Sequence, residues 1–266
     1  MNSEQAKAGQ IQSINVGGVF VATASRHELA ELCVADCQAA RSRSERPQPK
    51  VIFDLNGQGL ALYHTNPEYR ALVDCADLVH ADGGFLITAS KRLCAKPIAE
   101  RSATTDMLHD LAAACSDASL SFYLLGGTQS VNASCATELA RLYPKLKIVG
   151  ARDGYFSKAE RKAVIDEINE ARPDVLWVGM GKPLEQEFAI AARDHLTCGW
   201  IITCGGCYNY ITGDYPRAPA WMQNSNLEWL HRMVTRPRAL FWRYFWTTPF
   251  ALYLTLRHSS KALRSD

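Results

Sequence analysis

The chain has 266 residues and 47% hydrophobic content, enough to bury a substantial core, and this length suits one large domain or one domain with an extension. A net charge of +2 gives no overall pull toward nucleic acid, and none is expected as a partner. Nine cysteines, scattered through helix- and strand-like segments with no signal peptide ahead of them, argue against a secreted disulfide scaffold and for a reduced, cytoplasmic compartment.

The first dozen residues are polar and read as a flexible leader. From Val51 onward, short apolar runs alternate with amphipathic stretches. Val51-Ile52-Phe53 is strand-like, Leu78-Val79 is a second buried segment, and Leu120 to Leu125, Val175 to Val178 and Trp200 to Thr203 follow the same pattern. Between them, Gln129 to Leu142 and Lys158 to Ala171 carry apolar residues at helical spacing. This alternation predicts an α/β fold with a doubly wound, mostly parallel, Rossmann-like sheet covered on both faces.

Several strands end in glycine: Gly126-Gly127, Gly179 with Gly181, and Gly205-Gly206. In open α/β sheets, ligands bind outside the carboxyl ends of the strands, where glycine lets backbone amides approach a phosphate or sugar. A tight strand-to-helix turn needs glycine in any case, but three such ends point to a nucleotide-type cleft. Cys204-x-x-Cys207 lacks a second ligand pair for zinc and reads as two buried thiols beside Trp200-Ile201-Ile202. No metal and no cofactor are expected.

After Asp214 the composition changes, so residues 1–214 read as a catalytic domain and 215–266 as a C-terminal appendage. Pro216, Pro219, Pro237 and Pro249 are expected to break it into short helices. Arg217, Arg232, Arg236, Arg238, Arg243, Arg257, Lys261 and Arg264 outnumber Asp214, Glu228 and Asp266, which suits an anionic surface or ligand. Thr247 to Leu256 is too short an apolar run to cross a bilayer. Trp221, Trp229, Trp242 and Trp246 instead suggest attachment at the headgroup layer. The alternative is a tail that packs on the core or on another subunit of a homo-oligomer.

Chemistry concentrates in five places. His80-Ala81-Asp82-Gly83-Gly84 puts Asp82 at a turn on the sheet's carboxyl edge, where a carboxylate can take a proton from a sugar hydroxyl, although Asp-Gly is also a common turn pair. Asp54-Leu55-Asn56 ends the preceding strand, and a charge on Asp54 would raise the pKa of Asp82. In Glu100-Arg101-Ser102-Ala103-Thr104-Thr105-Asp106, the residues Arg101 and Asp106 form either a helix-start ion pair or a ligand-binding pair. Gly181-Lys182-Pro183-Leu184-Glu185-Gln186-Glu187 follows a later strand. The fifth place runs from Gly205 through Asn209 to Gly213, then Arg217-Ala218-Pro219-Ala220-Trp221, then Leu227-Glu228-Trp229-Leu230-His231-Arg232.

In order, these segments resemble motifs of the WecG/TagA/CpsF glycosyltransferases, which make bacterial surface polysaccharides from nucleotide sugars; the likeness spans about residues 15 to 245. The family patterns are T-x-N, D-G, E-R-x-x-G-x-D, G-x-P-x-Q-E, G-G-x-F-D-x-x-x-G, R-A-P-x-W and L-E-W-L-x-R. This chain departs from them: Asp54 replaces threonine, Thr104 replaces glycine, Asn209 replaces aspartate, and one additional residue precedes Gln186. The resemblance implies Asp82 as catalytic base, with Asn56, Asp54 and Gln186 near the substrate. It also implies arginines of the appendage over the site, here Arg232 and Arg238, with Arg217 and Arg243 on the substrate. Arg101, Asp106, Gly126, Gly127, Gly181, Gly206 and Asn209 complete the expected binding set. No Asp-x-Asp occurs in the chain, so amides and cations must meet the charge that develops on the leaving diphosphate.

The reaction so implied is inverting and metal-independent. A UDP-sugar (N-acetylmannosamine, its uronate or a hexose) donates to a polyprenyl-diphosphate-linked glycan acceptor, peripherally on the inner face of the cell membrane. A dinucleotide-dependent oxidoreductase would share the sheet, but no Gly-x-Gly-x-x-Gly opens a helix after the first strand. A non-enzymatic lipid- or partner-binding scaffold would explain the tail but not Asp82, Asn56 and Gln186 together.

Overall fold

A computed structural model describes residues 11–43, 46–94, 96–225, 227–260 and 263–265. Of the polar leader, 1–10 lie outside the described residues, whereas Gln12 already opens a strand. That strand, β1 (Gln12–Val16), pairs antiparallel with β2 (Val19–Ala22) across a Gly17-Gly18 turn in which both residues have positive φ. Helix α1 (Arg26–Arg41) starts in a capping box: the Glu28 amide donates to Ser25 Oγ, and the Glu28 carboxylate accepts from the Ser25 amide.

Strand β3 (Lys50–Leu55) is followed by α2 (Gly57–Thr65), α3 (Pro67–Asp74), β4 (Leu78–Ala81), α4 (Gly84–Leu93) and α5 (Thr104–Asp117). The second half runs β5 (Ser121–Gly126), α6 (Gln129–Leu142), β6 (Lys147–Arg152), α7 (Arg161–Ala171), β7 (Val175–Gly179), α8 (Leu184–Ala192), β8 (Trp200–Thr203) and the short α9 (Cys207–Ile211). Strands β3 to β8 form one parallel sheet in the order β4-β3-β8-β7-β5-β6. The α/β doubly wound class is therefore the fold. One face packs on α2, α3, α4, α7 and α8, and the other on α1, α5, α6 and α9. The chain winds outward from β3 to β4, restarts at β5 and β6, then returns through β7 so that β8 lies beside β3. This return brings the carboxyl ends of β4, β3, β8 and β7 side by side, at the switch point where such sheets hold ligands.

Helices α10 (Ala220–Asn224), α11 (Glu228–Thr235) and α12 (Pro237–His258) follow, and β9 (Leu263–Ser265) pairs antiparallel with β1. Here one expectation is corrected: Pro237 begins α12 at its first turn, and Pro249 sits inside the helix without ending it. Packing outweighs the lost hydrogen bond, because α12 lies along α2 with Ala251 and Leu254 buried in the core. Its other side exposes Phe241, Trp242, Phe245 and Trp246. Among the described residues no helix is long and apolar enough to cross a membrane.

Candidate active site

A cleft of about 600 Å³ opens at those strand ends and is walled by α4, α11 and α12. Its floor is set by Asn56, the N-cap of α2. Asn56 Oδ1 accepts from the Gly59 amide at 3.1 Å, while Nδ2 donates to Asp54 Oδ2 at 3.2 Å and to Asp82 Oδ2 at 3.3 Å. The Asp82 and Gly83 amides both donate to Leu55 O, which fixes the turn after β4. Asp82 Oδ1 accepts from the Thr104 amide at 3.2 Å, at the N-terminus of α5.

Burial alone would push the Asp82 carboxyl up, but Arg232 and Arg101, with His80 and Lys182, together hold it below the usual aspartate value. The expected rise caused by Asp54 is thus corrected. Asp54 is tied to Lys182, whose Nζ lies 2.5 Å from each of its carboxylate oxygens, so its field is largely cancelled. Burial does raise Asp54 itself, against the opposing charge of Lys182.

Lys182 Nζ also lies 3.8 Å from Glu185 Oε1. Glu185 is fully buried, and its Oε2 accepts the amides of Gly181 and Gly205, each at 2.9 Å. Two amides expected to face a phosphate are therefore already occupied by an internal carboxylate. Glu185, not Gln186, lines the cleft; Gln186 is buried behind it and donates Nε2 to Glu185 Oε1 at 3.3 Å. Gly181 and Gly206 are in the cleft wall, whereas Gly126 and Gly127 are not. Gly126 has φ +128°, and a Cβ there would lie 2.2 Å from Gly179 O, so close strand packing explains this glycine.

The arginines converge on Glu228 at the start of α11. Arg101 Nη2 donates to it at 2.5 Å and Arg232 Nη2 at 2.8 Å, and Arg217 Nε is 3.9 Å away. Burial of Glu228 would raise its pKa, but Arg232 and Arg101 hold it below the usual range. The expected pairing of Arg101 with Asp106 does not form. Asp106 instead accepts from Arg217 Nη1 at 2.8 Å and lies 3.8 Å from Arg26, and neither Asp106 nor Arg217 lines the cleft. Arg232 stacks on Tyr210 with 4.8 Å to the ring centroid, and Arg236 on Tyr215 with 3.9 Å.

Arg238 is exposed on α12 away from the cleft, and Asn209 also falls outside it, its carbonyl accepting the Tyr215 amide. The Arg243 side chain lies outside the described residues. The two cysteines of Cys204-x-x-Cys207 are buried thiols, with Cys207 pushed up to about 12 by burial. Sequence reading missed Lys182, Glu185, Glu228, Tyr210 and Arg236 as cleft residues. Lys182, Glu185 and Glu228 stand inside the motifs singled out, but only the folded chain shows which charges meet.

The cleft thus holds an ionised carboxylate together with guanidinium groups. Apolar side chains of α4 (Phe85, Ala89 and Leu93) and of α12 (Leu240, Leu252 and Leu256) also line it, with Arg92 among them. Such a site can bind a ligand that joins an anionic, hydroxyl-bearing head to a greasy tail. The family model described as "Glycosyl transferase WecG/TagA/CpsF family" matches residues 14–265.

Proposed function

The chain belongs to the WecG/TagA/CpsF glycosyltransferase family, and on that premise we propose that it moves a sugar from a UDP-sugar to a polyprenyl-diphosphate-linked glycan by inverting, metal-independent displacement. It is a transferase of surface polysaccharide synthesis. The observation that carries the finer reading is Asp82, held between Asn56 and the N-terminus of α5 and facing Arg232 and Arg101.

In this reading Asp82 is ionised at neutral pH. The acceptor hydroxyl attacks the anomeric carbon from the face opposite the diphosphate. Its oxygen forms the new glycosidic bond, the bond from the anomeric carbon to the UDP oxygen breaks, UDP keeps the electron pair, and the hydroxyl proton passes to Asp82. A low carboxylate pKa is compatible with this role, because the hydroxyl becomes strongly acidic as its oxygen bonds to carbon. Arg101 and Arg232, with Arg236 beside them in the cleft lining, offset the charge that develops on the leaving UDP in a partly desolvated cleft. The chain has no Asp-x-Asp to recruit a divalent ion for this task. Arg238, outside the cleft, takes no part in the transfer.

The apolar side chains that α4 and α12 give to the cleft suit the polyprenyl chain, and the aromatic outer face of α12 suits the headgroup layer of the inner face of the membrane. The test is Asp82→Asn. Turnover should fall roughly 10²- to 10⁴-fold with UDP affinity nearly unchanged. Near-normal turnover would remove Asp82 from the mechanism.

A further inference from the structure

Asp82 and the guanidinium groups that offset its burial do not bond one another. The Asp82 oxygens are engaged by Asn56 Nδ2 and by the Thr104 amide. Among the described residues, neither Arg101 nor Arg232 forms an ion pair with Asp82 or with any carboxylate but Glu228. What fixes these two arginines in the cleft is therefore a second carboxylate, not the base.

Glu228 opens α11, where the helix dipole favours a negative charge, and Arg232 follows one turn later on the same face. Its two oxygens divide the work. Oε1 accepts from Arg232 Nε at 3.3 Å and Nη2 at 2.8 Å, and Oε2 accepts from Arg101 Nη2 at 2.5 Å. Arg101 comes from the segment before α5, so this carboxylate ties the appendage to the catalytic domain at the cleft itself. The Glu228 side chain is only 4% exposed, so these are desolvated ion pairs rather than solvent-screened ones.

Resting on the reading of Asp82 as base, we propose that Glu228 is a positioning residue for the transfer: by holding Arg232 on one oxygen and Arg101 on the other, it keeps both guanidinium groups beside Asp82 without letting either bond the base. An arginine bonded directly to Asp82 would compete for the oxygen that must take the acceptor's proton. One held by Glu228 acts through space and leaves that oxygen to the substrate. The other titratable groups around Asp82 are Asp54, His80, Lys182, Cys207 and Tyr210, and none of them bonds Glu228.

The test is Glu228→Gln in the full-length protein. Glutamine keeps the size and one acceptor oxygen but turns a donor toward one arginine, which breaks the two-sided grip. The titration of the Asp82 carboxyl carbon is followed by NMR in aspartate-labelled protein, assigned with Asp82→Asn and with folding checked at each pH. If the arginines leave, burial of Asp82 is no longer opposed, and its midpoint should rise by at least about one pH unit. If they stay, loss of the Glu228 charge can only leave the midpoint where it is or lower it.

A double-mutant cycle supplies the second readout, as UDP release from UDP-glucose and from UDP-N-acetylmannosamine with a short-chain diphosphate-linked glycan as acceptor. Glu228→Gln should cost at least about 30-fold in turnover alone, and no more than about fivefold in the Arg232→Ala background, because the group that it positions is then gone. If Glu228→Gln does not fold, Glu228→Asp, which draws the carboxylate back by one methylene, takes its place with the same expected directions. A midpoint that stays or falls, or an equal cost in both backgrounds, overturns the proposal. If neither donor supports turnover, the titration decides alone. Normal transfer by Asp82→Asn would instead remove the base reading, while the titration still shows whether Glu228 holds the arginines.

Discussion

At Asp82 the competition between burial and charge decides the chemistry. A desolvated carboxylate has its pKa raised, and enzymes often use this to obtain a base that titrates near neutrality. Here Arg232 and Arg101 win, and the carboxyl stays below its ordinary value of about 3.9. The sign of the pH dependence follows. The group is ionised above its depressed pKa, and the activity that needs it is lost only as pH falls through that value. The acid limb of kcat/KM, which reports the free enzyme, should therefore lie below about pH 4, and the profile should be flat from about pH 5 to 8. A limb centred near pH 6 or 7, measured with the protein shown to be folded at each pH, would mean that another group is the base or that the arginines are not in place. The position of Asp82 at a strand end was legible in the sequence, because a short apolar run followed by Asp-Gly-Gly admits few placements. Its environment was not, because Arg101, Glu228 and Arg232 meet only after segments more than a hundred residues apart fold together.

Among the elements, those buried on both faces announced themselves. Strands β3, β5, β7 and β8 are continuous apolar runs. Strand β6 was missed because it is the sheet edge, with no fully buried residue in Lys147–Arg152 and no apolar run to see. The hairpin of β1 and β2 did carry a signal, Gly-Gly between alternating apolar residues, but it is short and lies next to the polar leader. Helix α12 was divided at Pro249 by a rule about isolated helices, whereas in the fold it rests on α2. That packing can be measured. Leu254 is buried in the core and does not line the cleft, so Leu254→Ala should cost about 2–4 kcal/mol in chemical unfolding. A cost below about 1 kcal/mol would show that α12 is not docked as described.

Across the whole molecule, the appendage after Asp214 does two things at once. Through Arg232, Arg236 and Leu240 it forms part of the cleft wall, and through Trp242, Trp246 and Phe245 it presents an exposed aromatic face. It is also knitted to the rest of the chain by β9 against β1 and by α12 against α2. Removing everything after Asp214 should therefore lower the thermal midpoint as well as abolish transfer, since the cleft loses one wall and α2 loses its cover. Point substitutions separate the two roles. Arg232→Ala should reduce transfer by roughly 10- to 1000-fold even to a short-chain, water-soluble acceptor, because the charge that it opposes forms in every turnover. Trp246→Ala, on the outer face, should leave that soluble reaction unchanged and weaken flotation with, and transfer on, vesicles containing anionic lipid. If Arg232→Ala matters only on vesicles, or if the truncated chain transfers to the soluble acceptor at the full-length rate, the appendage is an anchor alone and the base at Asp82 must find its electrostatic partner elsewhere in the cleft.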